Sequence, residues 1–173
     1  MIVKSDCRYF KGTMPCTFHK SSGVHCQSCG HYAQVREKIL IIKLGARGDV
    51  IRTTPLLHRL KQVYPSALIY WITLTTDVLP AQVDVPMDFS LKSMLIVRNT
   101  RFDLVINLDK DLEACALCLE VQADVKRGFI LADGRCAPVD AAAQAKFLTG
   151  LFDDVNRGNT QHYLQEIFAI AGF

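Results

Sequence analysis

The stretch "ILIIKLGARGDVIRTTPLL", Ile39 to Leu57, passes from an apolar run through a loop of small residues into amphipathic sequence. The run "KILIIKL", Lys38 to Leu44, is continuous rather than alternating, which is the texture of a strand covered on both faces. Beyond the loop, Leu56, Leu57, Leu60 and Val63 fall on one helical stripe. Thr54 as cap with Pro55 in the first helical position marks one start for this helix. A start at Asp49 with a bend at Pro55 marks another. A strand, a tight loop and a helix form the opening unit of an α/β sheet.

The same alternation continues downstream. "ALIYWITL" (67–74), "DVPMDF" (84–89), "FDLVINL" (102–108) and "KRGFIL" (126–131) read as strands. "SLKSMLIVRN", "DLEACALCLEVQA", "DAAAQAKFLTGLF" and "TQHYLQEIFAIAGF" read as helices, the third through its alanines. The expected fold class is therefore α/β, an open parallel sheet with helices on both faces, over residues 37–173. Residues 1–36 show neither period and read as a separate Cys-rich appendage that needs a staple.

Composition sets limits. With 173 residues, 50% hydrophobic and 21% charged, the chain has the makeup of a folded domain plus an appendage, not of a disordered protein. The net charge of +3 is scattered, with no polybasic arm, so nucleic acid is not an expected partner. The amino terminus "MIVKSDC" meets charge after three residues and forms no signal-peptide core. No apolar run reaches the roughly 18 residues of a spanning helix. The expected location is cytoplasmic, with any membrane contact peripheral at the inner membrane.

In open α/β sheets, ligands bind beyond the carboxyl ends of the strands, where "LGARGD" lies. A phosphate loop would need glycines five apart followed by Lys and Ser or Thr, but here Gly45 and Gly48 lead to Asp49. The dinucleotide fingerprint is also absent, and an acid at the mouth of a phosphate nest repels phosphate. Two glycines instead provide a tight turn open to close approach, with Asp49 carried to a helix start that favours negative charge. Two roles stand for Asp49: an acidic helix cap, or a base facing a substrate. Arg47 and Arg52 flank the loop, either as exposed arginines or as contacts for phosphates or carboxylates. Asp109 and Lys110 follow "FDLVINL" on the same side of the sheet, as substrate contacts or as a solvated turn in which Asp111 caps the next helix.

"ILIIKLGARGDVIRTTPLLHRLKQVYPSALIYWIT" resembles the amino-terminal signature of the family-9 glycosyltransferases, the ADP-heptose:lipopolysaccharide heptosyltransferases and their relatives. "FDLVINLDKD", "KRGF" and "NTQHYLQEIFAIAGF" extend the resemblance through residues 39–173. It implies the first half of a GT-B architecture, in which two Rossmann-like domains face across a cleft and the first mainly holds the acceptor. It also implies an inverting sugar transfer from a nucleotide-sugar to a lipopolysaccharide-core or related glycan acceptor, without a catalytic metal. The acid of the family's Gly-Asp-Val motif maps onto Asp49 as the base for the acceptor hydroxyl. Gly45, Arg47, Gly48, Arg52, Asp109 and Lys110 follow as substrate-binding candidates. Two departures accompany it: the spacer before "DVPMDF" is about one helix shorter than usual, and the donor domain lies outside this sequence. Transfer is thus expected only with a donor domain or chain supplied.

Four of the seven cysteines, Cys7, Cys16, Cys26 and Cys29, crowd the appendage. The last two form a C-x-x-C, half of a tetrahedral thiolate site, and the others complete it. A structural zinc is the expected occupant, with an iron-sulfur cluster or unligated thiols as alternatives and with His19, His25 or His31 able to replace one thiolate. Zinc would supply about 10–16 kcal/mol of apparent binding free energy to a segment without its own core, and four protein ligands leave no open catalytic position. Cys115 and Cys118 fall in a helix pattern as small buried residues. No function follows from Cys136. The competing reading of the whole chain is a non-catalytic protein-binding module built on a zinc-stapled head.

Overall fold

In the computed structural model, which describes residues 1–173, six strands form one sheet. They are β1 (Lys38–Ile42), β2 (Leu68–Thr73), β3 (Val85–Asp88), β4 (Phe102–Asn107), β5 (Ala123–Ala132) and β6 (Arg135–Pro138). Their spatial order is β3-β2-β1-β4-β5-β6. The first five pair in parallel, with Ile41 of β1 opposite Trp71 of β2 on one side and Ile106 of β4 on the other. The chain runs outward from β1 to β3, then returns to build β4 on the opposite side of β1. This reversal between β1 and β4 is the switch point at which such sheets hold ligands.

The eight helices are α1 (Thr17–Ser22), α2 (Arg47–Thr53), α3 (Pro55–Val63), α4 (Leu91–Arg98), α5 (Leu112–Glu120), α6 (Ala141–Thr149), α7 (Asp153–Arg157) and α8 (Tyr163–Ala171). The apolar run of β1 feeds two cores, as a strand period of two requires. Ile39 and Ile41 pack on one face with Leu56, Trp71, Phe129 and Ile170. Leu40 and Ile42 pack on the other with Phe102, Leu117 and Cys118. Each such buried side chain contributes about 1.5–3 kcal/mol. No helix is long and apolar enough to cross a membrane.

Three local expectations are revised, and the short spacer before β3 is found as expected. The helix after the loop starts at Arg47, and Thr54 does not cap its continuation: it keeps helical angles and its hydroxyl donates to the Ile51 carbonyl at 2.8 Å. Pro55, which lacks an N–H, interrupts the helix there. Of the apolar stripe, Leu56, Leu57 and Leu60 are buried and Val63 is exposed. The strand at "KRGFIL" is longer than expected and turns back through Asp133 and Gly134, both at positive φ (48° and 72°), into the antiparallel β6. That "DG" pair is the turn chemistry of a two-residue hairpin. Between β2 and β3 the chain crosses with only a 3₁₀ turn, Thr76–Val78. The short spacer thus replaces a helix, and β3 with its Pro86 forms a short edge strand where a missing donor is tolerated.

Residues 1–36 contain no buried residue. The segment is tied to the sheet by polar contacts. Arg8 donates to the Asp84 carboxylate and, at 2.7 Å, to the Ala67 carbonyl, while Lys61 and the Ile69 amide each donate to Asp84 at 2.8 Å. Ala67 and Asp84 immediately precede β2 and β3, so the head grips the amino-terminal edge of the sheet.

Burial alone would raise the Asp84 carboxyl, but the Ile69 amide, Lys61 and Arg8 outweigh it and hold the pKa below its usual value. A depressed carboxylate stabilises the fold fully above its unfolded pKa, and the contribution is lost as pH falls through the folded value. Asp84→Asn is therefore expected to cost about 1–3 kcal/mol in urea unfolding at neutral pH. The gap to the parent chain should narrow as the pH is taken below the ordinary carboxylate range.

Candidate functional site

The loop after β1 is stitched into the carboxyl-terminal edge from both sides. On the β2 side, the Leu44 carbonyl accepts from the Leu74 amide at 3.0 Å and the Thr73 hydroxyl at 3.1 Å. On the β4 side, Asp109 accepts from the Leu44 amide with one carboxylate oxygen and from Lys43 Nζ with the other. Lys43 also donates to the Gly45 carbonyl. Lys43 and Asp109 are each 6% exposed. Burial raises the Asp109 pKa, against the opposing pull of Lys43 and the Leu44 amide.

Asn107 extends the lattice sideways. Its Oδ1 accepts from the Asp109 amide at 3.0 Å, and its Nδ2 donates to the Phe129 carbonyl on β5 at 2.8 Å. This approach requires Gly128: it sits opposite Asn107 at φ 89°, where an added Cβ would fall 1.8 Å from the Asn107 carbonyl oxygen. The "KRGF" glycine thus holds β5 against the switch point.

On this platform, α2 presents Asp49 in its first turn, anchored by Val50 in the core. The Asp49 carboxylate, 38% exposed, accepts from Arg52 at 2.6 Å. The Arg52 guanidinium lies 4.1 Å over the ring of Tyr163 on α8. The Tyr163 hydroxyl meets Thr53 Oγ1 at 3.2 Å, and that hydroxyl donates to the Asp49 carbonyl at 2.8 Å. Arg52, Pro55, His162, Tyr163 and Leu164 line a hollow of about 180 Å³ beside it. Lys146 reaches toward the same ring, 5.9 Å from its centre, while bound to the buried Glu166 at 2.7 Å. The C-terminal helix therefore orients the acid of the first loop.

The structure sorts the sequence candidates. Asp49 and Arg52 meet directly. Arg47 turns away to Asp77 at 2.6 and 3.2 Å, an exposed pair whose hydrogen bonds hold the Asp77 pKa down. Asp109 is buried, and both its oxygens are engaged beneath the loop. Lys110 directs its amine against Gly150, where an added Cβ would fall 1.8 Å from Nζ. Asp111 occupies the cap position of α5 without a side-chain cap bond. Neither Gly45 nor Gly48 has positive φ, and a Cβ at either would meet nothing within 4 Å, so the glycines leave open space beside the loop. The Gly45–Ala46 peptide is cis.

Lys43, Thr53, Asn107 and Tyr163 were absent from the sequence candidates. Lys43 had a signal, a single charge interrupting an apolar run. Tyr163 had none, since its partners lie some 110 residues upstream.

The cysteines divide as their surroundings dictate. Cys115 and Cys118 are buried, as their helix pattern predicts, and burial pushes both thiols up, Cys118 to about 12. Cys7, Cys16, Cys26 and Cys29 are free thiols lining one cavity of about 190 Å³ in the head. They do not form the preformed tetrahedral set that the spacing predicts, for no three His, Cys, Asp or Glu side chains are grouped to hold a metal ion.

No protein-family model matches the chain, and no curated protein does. Solved structures resemble it over part of their length. The heptosyltransferase WaaC of E. coli with ADP-2-deoxy-2-fluoro heptose matches over 78% of this chain and 48% of its own, at 16% identity and a TM-score of 0.50. The same E. coli protein with ADP matches over 51% and 33%, at 21% identity and a TM-score of 0.44. A glycosyl transferase family 9 protein of Veillonella parvula DSM 2008 matches over 58% and 34%, at 21% identity and a TM-score of 0.48. By the match at a TM-score of 0.50 the fold is heptosyltransferase-like, and the chain spans less than half the length of each of these structures.

Removing Lys43 would leave the Asp109 carboxylate buried without its counter-ion. Lys43→Met is expected to destabilise the chain by about 3–5 kcal/mol, read as a lower urea midpoint. Lys43→Met combined with Asp109→Leu should recover most of that loss, because neither charge then remains unpaired.

Proposed function

We propose that residues 37–173 are the acceptor-side half of a glycosyltransferase of the heptosyltransferase type, with Asp49 as the base. The observation that carries this reading is the place of Asp49: a partly exposed carboxylate beyond the carboxyl end of β1, beside the switch point, held by Arg52 on a platform of buried polar bonds. Asp49 takes the proton of an acceptor hydroxyl as that oxygen attacks the anomeric carbon of a nucleotide-sugar such as ADP-heptose. The new carbon–oxygen bond forms as the bond to the diphosphate breaks, and the nucleoside diphosphate leaves. The acceptor is a lipopolysaccharide-core or related glycan, whose acidic groups would meet the remaining donors of Arg52. A second domain or chain supplies the nucleotide-sugar. The protein works in the cytoplasm, at the inner face of the membrane where such an acceptor is presented.

The test joins a heptosyltransferase donor half to this chain, or supplies it separately, and follows ADP release from ADP-heptose with deacylated core oligosaccharide as acceptor. Transfer is expected only when both halves are present. Asp49→Asn should lower kcat by about 10²–10⁴ while leaving the acceptor KM close to that of the parent. Undiminished transfer by Asp49→Asn would reject the base, and ADP-heptose left intact by the combined halves would reject the donor class.

A further inference from the structure

The head poses a physical problem that the sugar-transfer reading leaves untouched. Thirty-six residues without one buried side chain keep a defined path: α1, a 3₁₀ turn at Cys26–Ser28, and an antiparallel bridge between Cys7 and Gln34. Apolar burial does not hold them, and a peptide of this size without a core needs another source of stability. Large apolar side chains here stand exposed, among them Met1 at 96%, Ile2 and Met14.

The four head thiols line one cavity, brought there by three pieces of backbone. Cys7 comes from the bridge and Cys16 from the cap position of α1. Cys26 and Cys29 come from the two ends of the 3₁₀ turn, where the Cys29 amide points to the Cys26 carbonyl. None is in a disulfide. His19 lines the same cavity, and its Nδ1 donates to the Val24 carbonyl at 3.0 Å, which leaves Nε2 as the free lone pair.

We propose that the head is a zinc site, with Cys7, Cys16, Cys26 and Cys29 as a tetrathiolate ligand set. Each thiol loses its proton as its sulfur–zinc bond forms. The thiols line the cavity without converging, so the ion draws them together and closes the head, coupling binding to ordering. Four sulfur ligands leave no open coordination position, and the head sits at the amino-terminal edge of the sheet, away from Asp49. The site is therefore structural, and its loss should loosen residues 1–36 while sparing the sheet.

Metal analysis of the full chain, purified without added metal, is expected to return one zinc per chain. Cobalt substitution should give a thiolate-to-cobalt charge-transfer band and the strong visible bands of tetrahedral Co²⁺. Cys26→Ser with Cys29→Ser should abolish both signals, whereas Cys136→Ser keeps them. A chelator should speed amide exchange in residues 1–36 alone. His19→Gln should retain the metal, and loss of it there would overturn the four-thiolate set. Iron with inorganic sulfide, head disulfides, or no stoichiometric metal in the parent chain would each overturn the proposal. The parent's metal content and cobalt spectrum decide the matter even where the double variant fails to fold.

Discussion

The carboxyl-terminal edge of the sheet depends on one buried ion pair, Lys43 with Asp109. β1 and β4 are neighbours in space but lie more than sixty residues apart in the chain, and the pair locks their exits together. Two buried charges are costly unless each is also hydrogen-bonded. Here the Leu44 amide and the Gly45 carbonyl supply those bonds. The same contacts that stabilise the charges therefore fix the path of the loop. From that path follows the start of α2 at Arg47, and from α2 the direction of Asp49.

The alternation of buried strands and amphipathic helices was legible in the sequence because it is local. "KILIIKL" declares a two-sided strand through its own composition, and the two cores divide β1 by odd and even residues as that texture requires. The site was legible only where its chemistry sits on one loop. Asp49 and Arg52 lie one helical turn apart and meet. Asp109 is marked by its position after β4, but its contacts are not local, because its partners Lys43 and Leu44 lie just past the end of β1. The β5–β6 hairpin was written in Asp133–Gly134, yet it was missed because the flanking residues do not alternate.

Tyr163 shows why the remainder stayed hidden. Its ring beneath Arg52 and its hydroxyl beside Thr53 shape the first loop from the last helix, a contact that exists only once the sheet has brought α2 and α8 together. Glu166, buried on α8, receives Lys146 and Asn159 and so ties that helix to α6 and to the preceding loop. A local reading of "HYLQEIFAIAGF" yields an amphipathic helix with a cap; it contains no statement of what the helix touches.

The head and the sheet are held by different physics, and this separates their roles. The sheet's stability resides in apolar burial on both faces, which ends where β1 begins. The head has no share in it and is joined through Arg8 and Asp84 at the amino-terminal edge. A carboxylate at the carboxyl-terminal edge is positioned by Lys43, Arg52 and Tyr163, none of which the head contacts through a hydrogen bond. Disordering of the head would thus remove the Asp84 anchor without displacing Asp49. An appendage that takes no part in the core is held instead by hydrogen bonds, its own Cys7–Gln34 bridge within and Arg8 against Asp84 and Ala67 without.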